Sequence, residues 1–270
     1  MPGMHGQLFI QTLQSDPAFF FATIITVVIS ITLHELAHGI AAIKLGDDTP
    51  IHLNRMTLNP MVHMGGMSLI LLAIMGIAFG AMPVDRTRLR GKYGEAIVAA
   101  AGPLTNLLLA VLTLTALGLW ERFDPTPLAS WSPAAANGRY LLAVFGMTNL
   151  LLMMFNLLPL PPLDGFWIVS NVSRKFRNLM SGELARGIAG ALFFAAFLGA
   201  GWVLQRATEQ VTFKYVSALS GRSQVRLIVI LDRTTIKNPE GAYRLQQMEK
   251  MLGKRMDDLI RHDETADDER

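Results

Sequence analysis

The sequence predicts an all-α polytopic membrane protein with about four spanning helices, a partly membrane-inserted segment and a small cytoplasm-facing β-hairpin. Charge distribution is the first observation behind this. Residues 1–205 hold 12 basic and 10 acidic side chains, whereas the much shorter stretch 206–270 holds 12 and 11. A soluble domain is about one quarter charged, so the first part is too apolar for an ordinary soluble or disordered chain and the second is not. The chain is therefore divided into a membrane domain, 1–205, and a polar tail, 206–270. The second observation is a set of uncharged runs long enough to matter, because a span needs about 20 apolar residues. The third is the absence of cysteine, which excludes disulfides, thiolate metal sites and a cysteine nucleophile. A net charge of +3 on so apolar a chain gives no reason to expect nucleic acid as a partner.

The elements follow in order. Pro17–Ile43 is apolar apart from His34, Glu35 and His38, and no Lys or Arg precedes it, which argues against a cleavable signal peptide. Met64–Val84, Ala96–Trp120, Tyr140–Leu163 and Gly187–Gln205 carry no charge. If Met64–Val84 crossed the bilayer, only Lys44, Arg55, Arg122 and Arg139 would lie inside. If it dips in and returns, Lys44, Arg55, Arg86, Arg88, Arg90, Lys92, Arg174, Lys175, Arg177 and Arg186 all fall on one side. The positive-inside rule favours the second arrangement. Gly65, Gly66, Gly76 and Gly80 also weaken this run as a straight helix. Residues 46–93 are thus expected to form a cytoplasm-facing insertion that partly enters the membrane, with Ile51-His52-Leu53 and Met56-Thr57-Leu58 as its strand-permissive runs. In the tail, Gln224–Leu231 resembles a strand, and Leu245, Met248, Leu252, Met256 and Leu259 recur at helical spacing after Asn238-Pro239-Glu240. His262–Arg270 is expected to be a frayed end.

His34-Glu35-Leu36-Ala37-His38 fits H-E-x-x-H. On a helix the two imidazoles share a face, and the intervening acid can reach a water at the same ion. With 6 His and 9 Glu, a shuffled chain would contain the pattern about 0.4% of the time. Ionisable groups inside a span are costly and mark function or internal pairing. A catalytic zinc site needs a third protein ligand and one open position, and the apolar part offers Glu95 and Asp164. Glu95 opens a helix directly after Arg90 and Lys92, where a solvated acid suits the helix N-terminus. Asp164 follows Pro159, Pro161 and Pro162, which break the helix and let a carboxylate turn inward. With the basic loops inside, His38 and Asp164 both lie on the order of 10–15 Å from that boundary. Asn106, Asn149 and Asn156 are polar positions suited to interhelical hydrogen bonds. His52 and His63 lack ligand spacing, and the methionine patches suit packing.

The motifs HELAH, AGPLTN (Ala101–Asn106) and NLLPLPPLDG (Asn156–Gly165) resemble those of the site-2 protease family of intramembrane zinc metalloproteases. LGDDTP (Leu45–Pro50) and RMTLNPMVH (Arg55–His63) resemble its compact branch, which lacks PDZ and CBS domains. The likeness implies one Zn²⁺ per chain held by His34, His38 and Asp164, with Glu35 as general base and Asn156 lining the active site. It further implies that Gly102 and Pro103 shape the helix beside them. Phe166 after LDG and Met-Gly-Gly after His63 depart from the common pattern. The expectation is an intramembrane zinc endopeptidase, a multi-pass protein of a bacterial inner membrane acting on membrane-protein or membrane-peptide substrates in the lipid bilayer. Two alternatives remain: a membrane-bound zinc protease for soluble or unfolded substrates with Glu95 as third ligand, and a non-enzymatic metal-binding scaffold.

Overall fold

The computed structural model describes residues 8–126, 130–195, 201–222 and 224–231. Helix α1, Pro17–Lys44, begins where Asp16 accepts a hydrogen bond from the Phe19 amide at 3.2 Å and Pro17 supplies a preset first turn. Helices α2 (Thr49–His52) and α3 (Pro60–Met75) follow, then α4 (Gly94–Phe123) and α5 (Pro133–Asn156). After these come α6 (Asp164–Val172), α7 (Arg174–Leu179), α8 (Glu183–Ala195), α9 (Gly201–Ser220) and α10 (Gln224–Leu231). Helices α1, α4 and α5 are long and apolar enough to cross a membrane. At 1.5 Å per residue, the 28 residues of α1 extend about 42 Å, beyond a hydrocarbon core of about 30 Å.

Polarity on α1 is reversed from that of a soluble helix. Phe21, Ile25, Ile29 and Ile40 are exposed, while Thr26, Ser30, His34, Glu35 and His38 are buried. An apolar outer stripe over a polar interior fits lipid as the surrounding solvent.

Three expectations are corrected. No strand occurs among the described residues, so the β-hairpin is absent. Local polar contacts displace it: Oδ1 of Asp47 accepts from the amide (3.0 Å) and hydroxyl (2.5 Å) of Thr49, starting the single turn α2. Asn54, with φ 53°, then reverses the chain, and the Arg55 amide donates back to the Pro50 carbonyl at 2.9 Å. Second, three helices rather than about four are both long and apolar enough to span a membrane among the described residues. Of the run Gly187–Gln205, residues 187–195 belong to α8 and 201–205 to α9, and 196–200 lie outside the described residues. Third, Gln224–Leu231 is helical. Its β-branched residues favour strand only weakly, and Leu227 and Ile230, three apart, pack one helix face onto Leu114, Leu117, Ala143 and Val216. Leu245–Leu259 and His262–Arg270 lie outside the described residues.

The insertion is a closed excursion. Gly65 (φ 70°) interrupts α3, and Gly76 (φ 74°) ends it in the left-handed region. The chain then returns without regular structure along α3. Ser68 donates to the Phe79 carbonyl (2.7 Å) and accepts from its amide (2.9 Å), and the Ala81 amide donates to the His63 carbonyl at 3.1 Å. At the base, the Asp85 amide donates to fully buried Asp47 at 2.8 Å, and the Arg90 amide donates to the Leu45 carbonyl at 2.8 Å. Residues 46–89 therefore leave and rejoin at one end of α1. Val27 and Ile31 of α1 pack on Met64 and Leu72 of α3 along the way.

The residues form two compact units. The larger holds the described residues up to Leu112 together with those between Val144 and Glu209. The smaller holds those between Thr113 and Ala143 and those from Gln210 onward. In the smaller unit, Arg139 is fully buried, donates to Glu121 at 2.5 Å and to Asp124, and lies 4.5 and 4.2 Å from the ring centres of Trp120 and Trp131.

Candidate metal centre

Helix periodicity puts His34 and His38 one turn apart on the buried face of α1, with ring centres 4.6 Å apart. The break at Leu157–Leu163 lets the chain restart as α6 with Asp164 in its first turn. The structure thereby brings together residues separated by more than a hundred positions. His34 Nε2 and His38 Nε2 are 3.0 Å apart, and the Asp164 carboxylate oxygens lie 3.1 and 3.4 Å from them. These three are the described His, Asp and Glu side chains grouped closely enough to hold a metal ion. Glu95 is not among them; it faces Arg177 at 3.8 Å, so the alternative third ligand is not in reach.

Donor chemistry fixes what the cluster can do. His38 Nδ1 lies 2.7 Å from the Val98 carbonyl, a pure acceptor, so Nδ1 carries the proton and Nε2 presents a lone pair. His34 Nδ1 lies 2.6 Å from Oδ1 of Asn106, with the same consequence. That amide is oriented in turn: Asn106 Nδ2 donates to Asn149 Oδ1 at 2.9 Å, and Asn149 Nδ2 donates to Ser30 at 2.8 Å. Two lone pairs and a carboxylate then converge, and Asp164 Oδ2 is buried with no hydrogen-bond donor. With both imidazoles neutral, no protein group satisfies such a set, whereas a cation does. Tetrahedral zinc with bonds of about 2.0–2.1 Å separates its ligand atoms by about 3.3 Å, close to the observed spacings. The residues fit the metal.

Space is equally specific. A Cβ on Gly102 would stand 2.5 Å from His34 Cε1 and Nε2 and from His38 Nε2, so the α4 backbone itself walls the site. Glu35, buried on α1, packs against the returning segment, where a Cβ on Gly80 would come 2.7 Å from its Oε1. Asn156 does not join the cluster; its amide donates to the Leu152 carbonyl of its own helix at 3.0 Å. His63 is buried rather than an ordinary loop residue, and its Nε2 lies 2.6 Å from the Thr57 carbonyl. His52 pairs with exposed Asp48 at 2.9 Å, and this hydrogen bond holds the Asp48 carboxyl below its usual range. Sequence reasoning missed the Val98 carbonyl, because backbone acceptors leave no trace in residue type. Asn106 and Asn149 both make the interhelical hydrogen bonds expected of them, and Asn106 also orients the His34 imidazole.

Comparison with known proteins places this geometry. Residues 126–199, which include Asp164, match the family model described as peptidase family M50. YwhC of Bacillus subtilis is 36% identical over 151 residues, covering 55% of this chain and 68% of that protein. The chain belongs to peptidase family M50. Rip2 of Mycolicibacterium smegmatis is 33% identical over 144 residues, 51% of each chain. The zinc metalloprotease MJ0392 of Methanocaldococcus jannaschii is 27% identical over 182 residues, 67% of this chain and 43% of that one. This M50 chain thus aligns with about two thirds of the Bacillus relative and about half or less of the other two. No solved structure matches it.

Proposed function

We propose that this M50 chain is an intramembrane zinc endopeptidase that hydrolyses peptide bonds in or near transmembrane segments, with one zinc per chain. The observation that carries the reading is the convergence of two imidazole lone pairs and a donor-less carboxylate beside a buried Glu, on a helix whose outer face is apolar. Family membership and the name of the archaeal relative support the same chemistry.

His34, His38 and Asp164 would hold the metal. A bound zinc supplies a Lewis acid for the scissile carbonyl and acidifies water. Glu35, adjacent to His34, takes the proton of the attacking water and returns it to the leaving amine. The Asn106–Asn149–Ser30 chain holds the His34 tautomer through the cycle. Asn156, at the end of α5, gives one amide N–H to Leu152 and would offer the other to the substrate backbone, a role that the family motif supports. Gly102 keeps α4 close enough to exclude bulk water.

The deciding test is cleavage of a membrane-embedded peptide by purified protein in vesicles. Glu35→Gln should keep its zinc and lose about 10²–10⁴-fold in kcat, the usual worth of a general acid–base group. Turnover near the wild-type rate would remove Glu35 from the mechanism.

A further inference from the structure

Two loops far apart in sequence meet at the end of α6. Arg86 and Lys92 come from the base of the insertion and Glu95 from the first turn of α4. Asn171, Arg174 and Arg177 come from α6 and α7. Together they line a cleft of about 230 Å³. Four cations face a single acid there, since Glu95 is paired only loosely with Arg177 at 3.8 Å. Such an excess attracts an anion.

The cleft is aligned with the metal centre. Asp164, Trp167 and Asn171 recur at i, i+3 and i+7, so they share one face of α6. The Arg86 guanidinium lies over the Trp167 ring, 2.9 Å from its centre, bridging cleft and ligand helix. Burial there lowers the Arg86 pKa, while the charges of Glu95 and Asp164 oppose the shift. Seven residues of helix span about 10 Å, which an extended peptide covers in about three residues.

We propose that this cleft binds an acidic side chain of the substrate about three residues from the scissile bond, on one flank only. The proposal rests on the endopeptidase reading and names a substrate class for that site. A lipid phosphate offers similar chemistry at a membrane boundary, but the shared face with Asp164 ties the cleft to the peptide path.

The test uses full-length protein in vesicles of neutral phosphatidylcholine and a panel of transmembrane peptides, each with one Glu, Gln or Lys two to five residues from the cleavage point on either flank. The kcat/KM ratio of Glu over Gln should peak near the third position of one flank at about fivefold, the scale of a partly exposed charge pair. Lys92→Glu/Arg174→Glu should invert it in favour of Lys. Binding of fluorescent peptides to Glu35→Gln protein should show the same order without turnover. If the Gln peptides are cleaved and bound as well as the Glu peptides at every position, the cleft proposal fails and the endopeptidase reading stands. If no peptide is cleaved, the endopeptidase reading fails, and the cleft proposal resting on it falls too. Should Arg174→Glu alter cleavage only when phosphatidylglycerol is added, irrespective of peptide charge, the cleft is a lipid site and the proposal is overturned.

Discussion

At the residue scale, the two imidazoles of the candidate centre are oriented by groups outside the cluster. Imidazoles rotate freely unless the second nitrogen is fixed, and here the Val98 carbonyl and Asn106 fix both. Asn106→Leu removes the acceptor that defines the His34 tautomer, and zinc affinity should fall about 10–100-fold, as is typical for such partners. Competition with a fluorescent chelator measures it. Gly102→Ala tests the wall: a methyl 2.5 Å from both ligating nitrogens leaves no room, so zinc content should drop sharply. Gly190→Ala, where an added Cβ meets nothing within 4 Å, should leave it unchanged. Unaltered zinc in Gly102→Ala would mean that α4 can withdraw.

At the element scale, the insertion 46–89 leaves and rejoins at one end of α1. Its ends are tied by Asp47 to Asp85 and by Leu45 to Arg90, and Arg177 reaches Glu95. Loops 85–93 and 174–186 should therefore face the same side. In a chain without cysteine, Thr87→Cys and Asn178→Cys should be labelled by an impermeant maleimide from one side only, and the same one; opposite sides would refute the arrangement. Asp47→Ala strips a fully buried acceptor from Thr49 and Asp85, and limited proteolysis should cut within 46–93 earlier than in the wild type. This element also shows where the sequence was readable. Charge counting predicted that the segment leaves and returns at one end of α1, and the ties of Asp47 to Asp85 and Leu45 to Arg90 show that return. Its internal form was not readable: Ile51-His52-Leu53 has the composition of a strand, yet a side-chain cap from Asp47 and a left-handed Asn54 outweigh propensity. Likewise the apolar run Gln224–Leu231 takes helical form through Leu227 and Ile230, which pairwise packing decides and composition does not. The grouping of His34, His38 and Asp164 was legible because H-E-x-x-H and a proline-broken LDG segment encode geometry directly.

For the molecule as a whole, the two compact units carry different kinds of polar interior. In the larger, buried polar groups converge on the candidate metal site. In the smaller, Arg139 is enclosed by Glu121, Asp124 and two tryptophans, a satisfied ionic network. Arg139→Ala removes the buried cation that Glu121 and Asp124 share and should cost about 3–5 kcal/mol. Arg139→Met/Glu121→Leu should recover part of that in the midpoint of thermal unfolding. Neither change should alter zinc content of protein that remains folded.

The central claim is that one metal binds between α1 and α6, and elemental analysis of purified protein tests it most directly. Wild-type and Glu35→Gln chains should each carry one zinc per chain, and Asp164→Ala should carry almost none because two imidazoles alone do not complete the site. Full zinc occupancy in Asp164→Ala would contradict the account.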